Sequence, residues 1–146
     1  MRSITLIIPG PPIAKKRPRF YRKGNFVGTY KDDKEQTEEG RFLFHISQQF
    51  NGPMFEGALV LVLGFYMPIR NNDIRTKKLK ADMDARLIPH TKKPDVDNLE
   101  KFVLDALNNI VWRDDRAIID VRKFKQFSDR PRTEIMVREW AGENLK

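Results

Sequence analysis

Ten consecutive residues, Ala58 to Met67 (Ala-Leu-Val-Leu-Val-Leu-Gly-Phe-Tyr-Met), carry no charge and show no alternation of polar and apolar side chains. A half-exposed strand alternates, and an amphipathic helix repeats every three to four residues. An unbroken apolar run rich in β-branched residues therefore predicts a central strand buried on both faces. It is half the length that a membrane-crossing helix needs. The rest of the chain must supply strands to flank it and helices to cover it.

The flanking sequence offers such elements. Ser3 to Ile8 is β-branched and stops at Pro9-Gly10-Pro11-Pro12, which predicts a first strand. Arg19 to Tyr30 brackets Lys23-Gly24-Asn25 and has hairpin character. Asp32 to Phe50 predicts a helix with Asp32 or Asp33 as cap and Phe42, Ile46 and Phe50 on one side. Asn71 to Leu87 carries only the thin stripe Leu79, Met83 and Leu87, which predicts a short helix on an exposed basic arm spanning about 70–93. Leu99, Phe102, Val103, Ala106, Leu107 and Ile110 recur at helical spacing, so a docked amphipathic helix follows. Ala117 to Phe127 and Thr133 to Arg138 then predict two strands joined by the turn-forming Ser128-Asp129-Arg130-Pro131. The order β-α-β-(α)-α-β-β describes an α+β fold, a small mixed sheet covered by helices. With 146 residues and no internal repeat or linker, one domain over 1–146 is expected.

The chain has no cysteine, which removes a disulfide framework, a thiolate zinc site and a cysteine nucleophile together. His45 and His90 lack the partners of a catalytic triad, and a packing or surface role suits them better. Gly10 stands outside any phosphate-binding glycine motif, so no organic cofactor is expected. The apolar stretch Ile4 to Ile8 is too short for a signal peptide, and a cytoplasmic protein with no membrane partner is expected.

The net charge is +8, and its distribution is uneven. Lys15, Lys16, Arg17, Arg19, Arg22 and Lys23 occur with no intervening acid. Arg70 to Lys93 holds eight bases, Lys92 and Lys93 among them, against three acids. Two concentrated basic segments fit a groove that follows phosphates; a pair of solvated loops is the plainer alternative.

Within Lys93-Pro94-Asp95-Val96-Asp97-Asn98-Leu99-Glu100-Lys101, Pro94 resists helix and Leu99 already belongs to one. Asp95 and Asp97 thus fall where extended chain becomes helix, and in extended chain residues i and i+2 share a side. Like charges so placed favour a cation between them, and hard oxygen donors without His or Cys favour Mg2+, with Mn2+ as a substitute. Such an ion suits phosphodiester hydrolysis. Lys101, one turn beyond Asp97, can reach the same side of the helix, either to assist the chemistry or as a surface ion pair. Asp97 or Asn98 could equally be an ordinary helix cap. Asp114 and Asp115 follow the helix and begin an element able to return toward the sheet; a solvated turn paired with Arg113 and Arg116 is their bland reading. Trp112 is expected to anchor the core.

Lys93-Pro94-Asp95-Val96-Asp97-Asn98-Leu99, then Lys101, Asp105-Ala106-Leu107, Trp112 and Asp114-Asp115 before a strand, resembles the RusA-type Holliday junction resolvases. The likeness is firm from Asp95 to about Glu139 and looser before it, through a strand ending in prolines and Lys16-Arg17-Pro18-Arg19-Phe20. It implies a magnesium-dependent endodeoxyribonuclease of phage or prophage descent that cuts branched DNA such as a four-way junction as a homodimer. By the same resemblance Asp95, Asp97 and Asp115 would be the catalytic, metal-binding carboxylates and Lys101 the catalytic lysine. Asn108-Asn109 stands where a longer glycine-bearing turn is expected, which leaves Asp114 a competitor to Asp115. Two rivals are a DNA-binding module without catalysis and, less favoured, a D-x-D glycosyl- or nucleotidyltransferase.

Overall fold

The computed structural model describes residues 1–16, 19–30 and 33–145. Six strands and three helices follow in the order β1 (Ser3–Pro9), β2 (Arg19–Lys23), β3 (Phe26–Tyr30), α1 (Asp33–Gln49), β4 (Leu59–Pro68), α2 (Lys77–Asp84), α3 (Val96–Leu107), β5 (Ile118–Ser128) and β6 (Arg132–Glu139). Strands β1, β6, β4 and β5 form one sheet in that spatial order, and β2 pairs with β3 in a separate hairpin. Pairing is antiparallel except between β4 and β5, which run parallel. The α+β class and the mixed sheet are as expected from sequence.

The apolar run from Ala58 becomes β4, flanked on both sides. Its odd-numbered positions, Leu59 to Met67, are buried together with Leu6, Ile8, Ile135 and Val137 of the neighbouring strands. Over them lie Phe42 and Ile46 of α1 and Leu99, Phe102, Val103 and Leu107 of α3. Phe42 and Phe102 meet edge to face at 5.1 Å, so the two helices form one continuous layer. The opposite face of β4 is covered too, Val60 and Gly64 being buried and Val62 and Tyr66 half-buried, but its cover is of another kind. On that face Ile7, Phe124 and Met136 are 46%, 40% and 44% exposed, so no described helix covers it. There β4 is shielded by side chains of adjacent strands: the Phe124 ring lies over Gly64, where a Cβ would come within 2.8 Å of it. A continuous apolar run reports a central strand, but here neighbouring strands supply part of the cover.

The arm also departs from expectation. A 3-10 turn at Asn71–Ile74 precedes α2, whose Thr76 side chain accepts a hydrogen bond from the Leu79 amide at 3.1 Å. Helix α2 ends at Ala85, and Arg86 turns the chain at φ +60°. Leu87 therefore leaves the predicted stripe and is 69% exposed, while Met83 is buried. Ile110 likewise falls beyond the end of α3, and Val111 and Trp112 occupy the core instead. The predicted cap at Asp32 lies outside the described residues.

Candidate active site

Asp95 is the N-cap of α3, with extended backbone at φ −65° and ψ 145°. Its carbonyl accepts from the Asn98 and Leu99 amides, yet its carboxylate makes no capping bond and is left exposed. Asp97 is already inside the first turn. The two acids are therefore not related by strand alternation, as the i and i+2 reading supposed. They share the positive end of a helix, where negative charge is stabilised. The loop leading to them is clamped from below, since Lys125 of β5 donates to the Lys92 carbonyl at 2.6 Å and the Pro94 carbonyl at 2.8 Å.

Two residues earlier on β5, Lys123 lies 3.1 Å from Asp97 and is also ion-paired with Glu100. Glu100 foremost, then Asp97, raises the affinity of this ammonium for its proton. The Asp97 carboxylate nevertheless remains 84% exposed. Lys101 is exposed and makes no ion pair among the described residues. The surface ion pair offered as one reading of Lys101 is therefore not formed, and the lysine that meets Asp97 is one the sequence reading did not single out. A signal for Lys123 existed in the strand: Val121, Lys123, Lys125 and Phe127 alternate with Arg122, Phe124 and Gln126, and the odd set is the one turned inward.

The basic residues divide. Lys15 runs along α3, its amide donating to the Asn98 carbonyl at 2.9 Å and its ammonium 3.5 Å from Asp105. Lys16 and Lys93 are exposed. Lys92 is held by Asp73, a buried acid whose carboxyl is pushed below its ordinary value chiefly by that lysine. Arg17 lies outside the described residues, and of Arg19 only the strand backbone is described.

At the other end of α3, Asn109 adopts φ +65° and its amide donates to the Trp112 carbonyl, so asparagine fills the place where a glycine turn was expected. Trp112 is fully buried, its Nε1 donating to Asn108 Oδ1 at 2.8 Å. Asp114 caps the following turn by accepting from the Arg116 amide at 3.0 Å, which holds its carboxyl low. Asp115 is half-buried and pushed up, first by burial and then by Asp114 and Asp105. Asp115 thus has Asp114 as its nearest acidic neighbour and feels the charge of Asp105, whereas Asp97 meets Lys123, which also holds Glu100. Glu100 and Asp105, the α3 members of these two surroundings, stand five residues apart, about 7.5 Å of helical rise. No three acids or histidines come together as a metal cluster among the described residues.

His90 is buried, its ring 4.6 Å from that of Phe127. Burial above all lowers its proton affinity, so it is a packing residue, as the sequence led one to expect. No described helix is long and apolar enough to cross a membrane.

Fold and site together define a small α+β protein presenting a carboxylate pair at a helix N-terminus beside exposed bases. Residues 9–138 match the family model described as "Endodeoxyribonuclease RusA", and the chain belongs to that family. It is also similar to a Bacillus subtilis (strain 168) protein described as "Uncharacterized protein YqaN", with 31% identity over 139 residues covering 95% of this chain and 98% of the relative.

Proposed function

We propose that this chain is a magnesium-dependent endodeoxyribonuclease that cuts branched DNA, four-way junctions among its substrates. The observation that carries the reading is Asp95: a carboxylate at the N-cap position that does not cap, exposed beside a second exposed carboxylate, in a member of the RusA endodeoxyribonuclease family. Donor chemistry fits a hard divalent ion, because the exposed side chains at the start of α3, Asp95, Asp97 and Asn98, offer oxygen donors and no thiolate or imidazole. Magnesium commonly binds one or two carboxylates and completes its shell with water and substrate phosphate, so a pair is sufficient. Asp95 and Asp97 would hold it, and it would supply charge stabilisation at the scissile phosphate and a more acidic water.

The chain's own groups do the rest. Lys123 fixes the rotamer of Asp97, Lys125 fixes the loop that carries Asp95, and Lys16 and Lys93 are free to contact phosphates. Lys101, exposed one turn along, is the cation available to the substrate rather than to the acids. Asp115 is proposed as the third acid in preference to Asp114, because Asp114 is used in capping while Asp115 sits partly buried among like charges. A homodimer would supply two active centres for paired incisions in a two-fold symmetric junction. The uncovered sheet face around Phe124 and Met136 is the surface it would use.

The test is incubation of four-way junctions, flaps and linear duplex with the protein, with and without Mg2+ or Mn2+. Metal-dependent scission of the branched DNAs is expected. Junction binding without scission at any metal concentration would leave a DNA-binding module in its place.

A further inference from the structure

A cleft of about 710 Å³ opens at the carboxyl ends of β4 and β5, with the arm as its outer wall. Its size is that of a small-ligand site, roughly 300–1,000 Å³. Ile69, Met83, Ile88 and Phe127 give it apolar lining within a mostly polar wall to which Arg86 and Arg130 contribute. Asp84 and Arg132, which also line it, are already engaged, by Lys80 at 3.5 Å and Glu134 at 2.8 Å. The guanidinium groups of Arg86 and Arg130 make no ion pair among the described residues, and against them stands one acid, Asp129. Apolar side chains lining the same cleft as two guanidinium groups without an ion pair suit a nucleobase carrying its phosphate.

Position adds to chemistry. Lys123, Lys125 and Phe127 follow one another on the same side of β5, which is the edge strand. At about 3.3 Å per residue, the cleft wall at Phe127 lies about 13 Å along the strand from the lysine that holds Asp97. That distance is about four base steps of DNA at 3.4 Å each. Between the two lies the segment from Ile88 to Asp95, which carries the exposed Lys93.

We infer that this cleft seats one unstacked nucleotide of a branched DNA, its base against the apolar side chains Ile69, Ile88 and Phe127 and its phosphate at Arg86 and Arg130. The inference rests on the nuclease reading of the acid pair and deepens it, by naming what distinguishes a branch from a duplex. A nucleotide at a crossover leaves its stack at little cost, whereas one inside a duplex must first lose its pairing.

The experiment uses the Asp97→Asn protein without metal and a four-way junction carrying 2-aminopurine at single positions two to six nucleotides from the branch. Emission of this base rises when it unstacks. A rise confined to one or two adjacent positions is expected, saturating with binding and absent from a duplex of the same sequence. Combining Arg86→Asn, a residue that tolerates the positive φ at 86, with Arg130→Ala should weaken junction binding at least tenfold and duplex binding less than threefold. Ile88→Trp, which crowds the apolar lining and leaves the charges, should abolish the emission change, with unfolding temperatures showing that each variant is folded. Equal losses on junction and duplex would mean a general phosphate contact and overturn the inference, as would an unchanged emission at every position. Binding of a free deoxynucleoside monophosphate as tight as that of the junction would assign the cleft to free nucleotides instead. Because no metal is present, this outcome is independent of whether the Asp97-containing protein cuts DNA.

Discussion

Asp97 is constrained from two directions, by its place in the first turn of α3 and by a lysine that comes from a strand 26 residues later. Such a contact fixes a side chain that would otherwise sample several rotamers in water, and preorganisation of this kind is commonly worth 10- to 100-fold in activity or metal affinity. Lys123→Met is therefore expected to reduce cleavage by about 10- to 100-fold and to weaken Mn2+ binding measured by titration. Lys123→Arg, which keeps a cation within reach of both acids, should recover part of each. Equal and complete rescue by Lys101 in the Lys123→Met protein, seen as unaltered rate and affinity, would show that Asp97 needs no such support. Replacing Asp97 itself by Asn should abolish cleavage and leave junction binding intact or tighter, since a negative charge near phosphate is removed.

At the scale of elements, the arm is tied down by few groups, and Asp73 is central among them. It accepts from the Arg70 amide at 2.9 Å and holds Lys92 shortly before the acid pair, so the two ends of the arm are joined through one carboxylate. Its folded-state proton affinity is depressed below the ordinary value of 3.8, mainly by the bond from Lys92. The sign follows from linkage: the stabilisation is fully present above pH 3.8 and is lost as pH falls through the lower folded value. Hydrogen exchange should show the arm amides from 70 to 93 losing protection below about pH 4 before the central strands do. Asp73→Ala should cost roughly 1–2 kcal/mol at neutral pH, less than a fully buried pair because Lys92 is itself exposed, and should erase that acid sensitivity.

For the whole molecule, helices α1 and α3 cover one side of the sheet, while on the other, among the described residues, Ile7, Phe124 and Met136 are left partly in water. Phe124 and Met136 sit near the middle of that face, on strands either side of β4. If a second copy covers it, Met136→Glu should shift the protein from dimer to monomer by light scattering and reduce paired incision, with little change in the fold because the side chain is 44% exposed. A wild-type chain that is monomeric at working concentration yet resolves junctions at full rate would contradict the two-fold arrangement.

Local pattern was sufficient for much of this. The run at 58–67 announced a central strand, the 3.6-residue repeat after Leu99 announced a docked helix, and Pro94 ahead of Asp95 and Asp97 marked a helix start, since each depends on backbone preference and on neighbours close in sequence. Asn109 shows the limit of that level, because a residue with a short amide side chain can adopt the left-handed conformation for which a glycine was sought. The sequence by itself determined which side chains are acidic, which segments are basic and where the elements lie. Tertiary structure alone decided that Lys123 meets Asp97, that Lys92 serves Asp73, and that no described helix covers one face of the sheet. Those pairings join residues far apart in sequence, brought together in one case by β5 packing beside β4 and under α3 and in the other by the folding back of the arm.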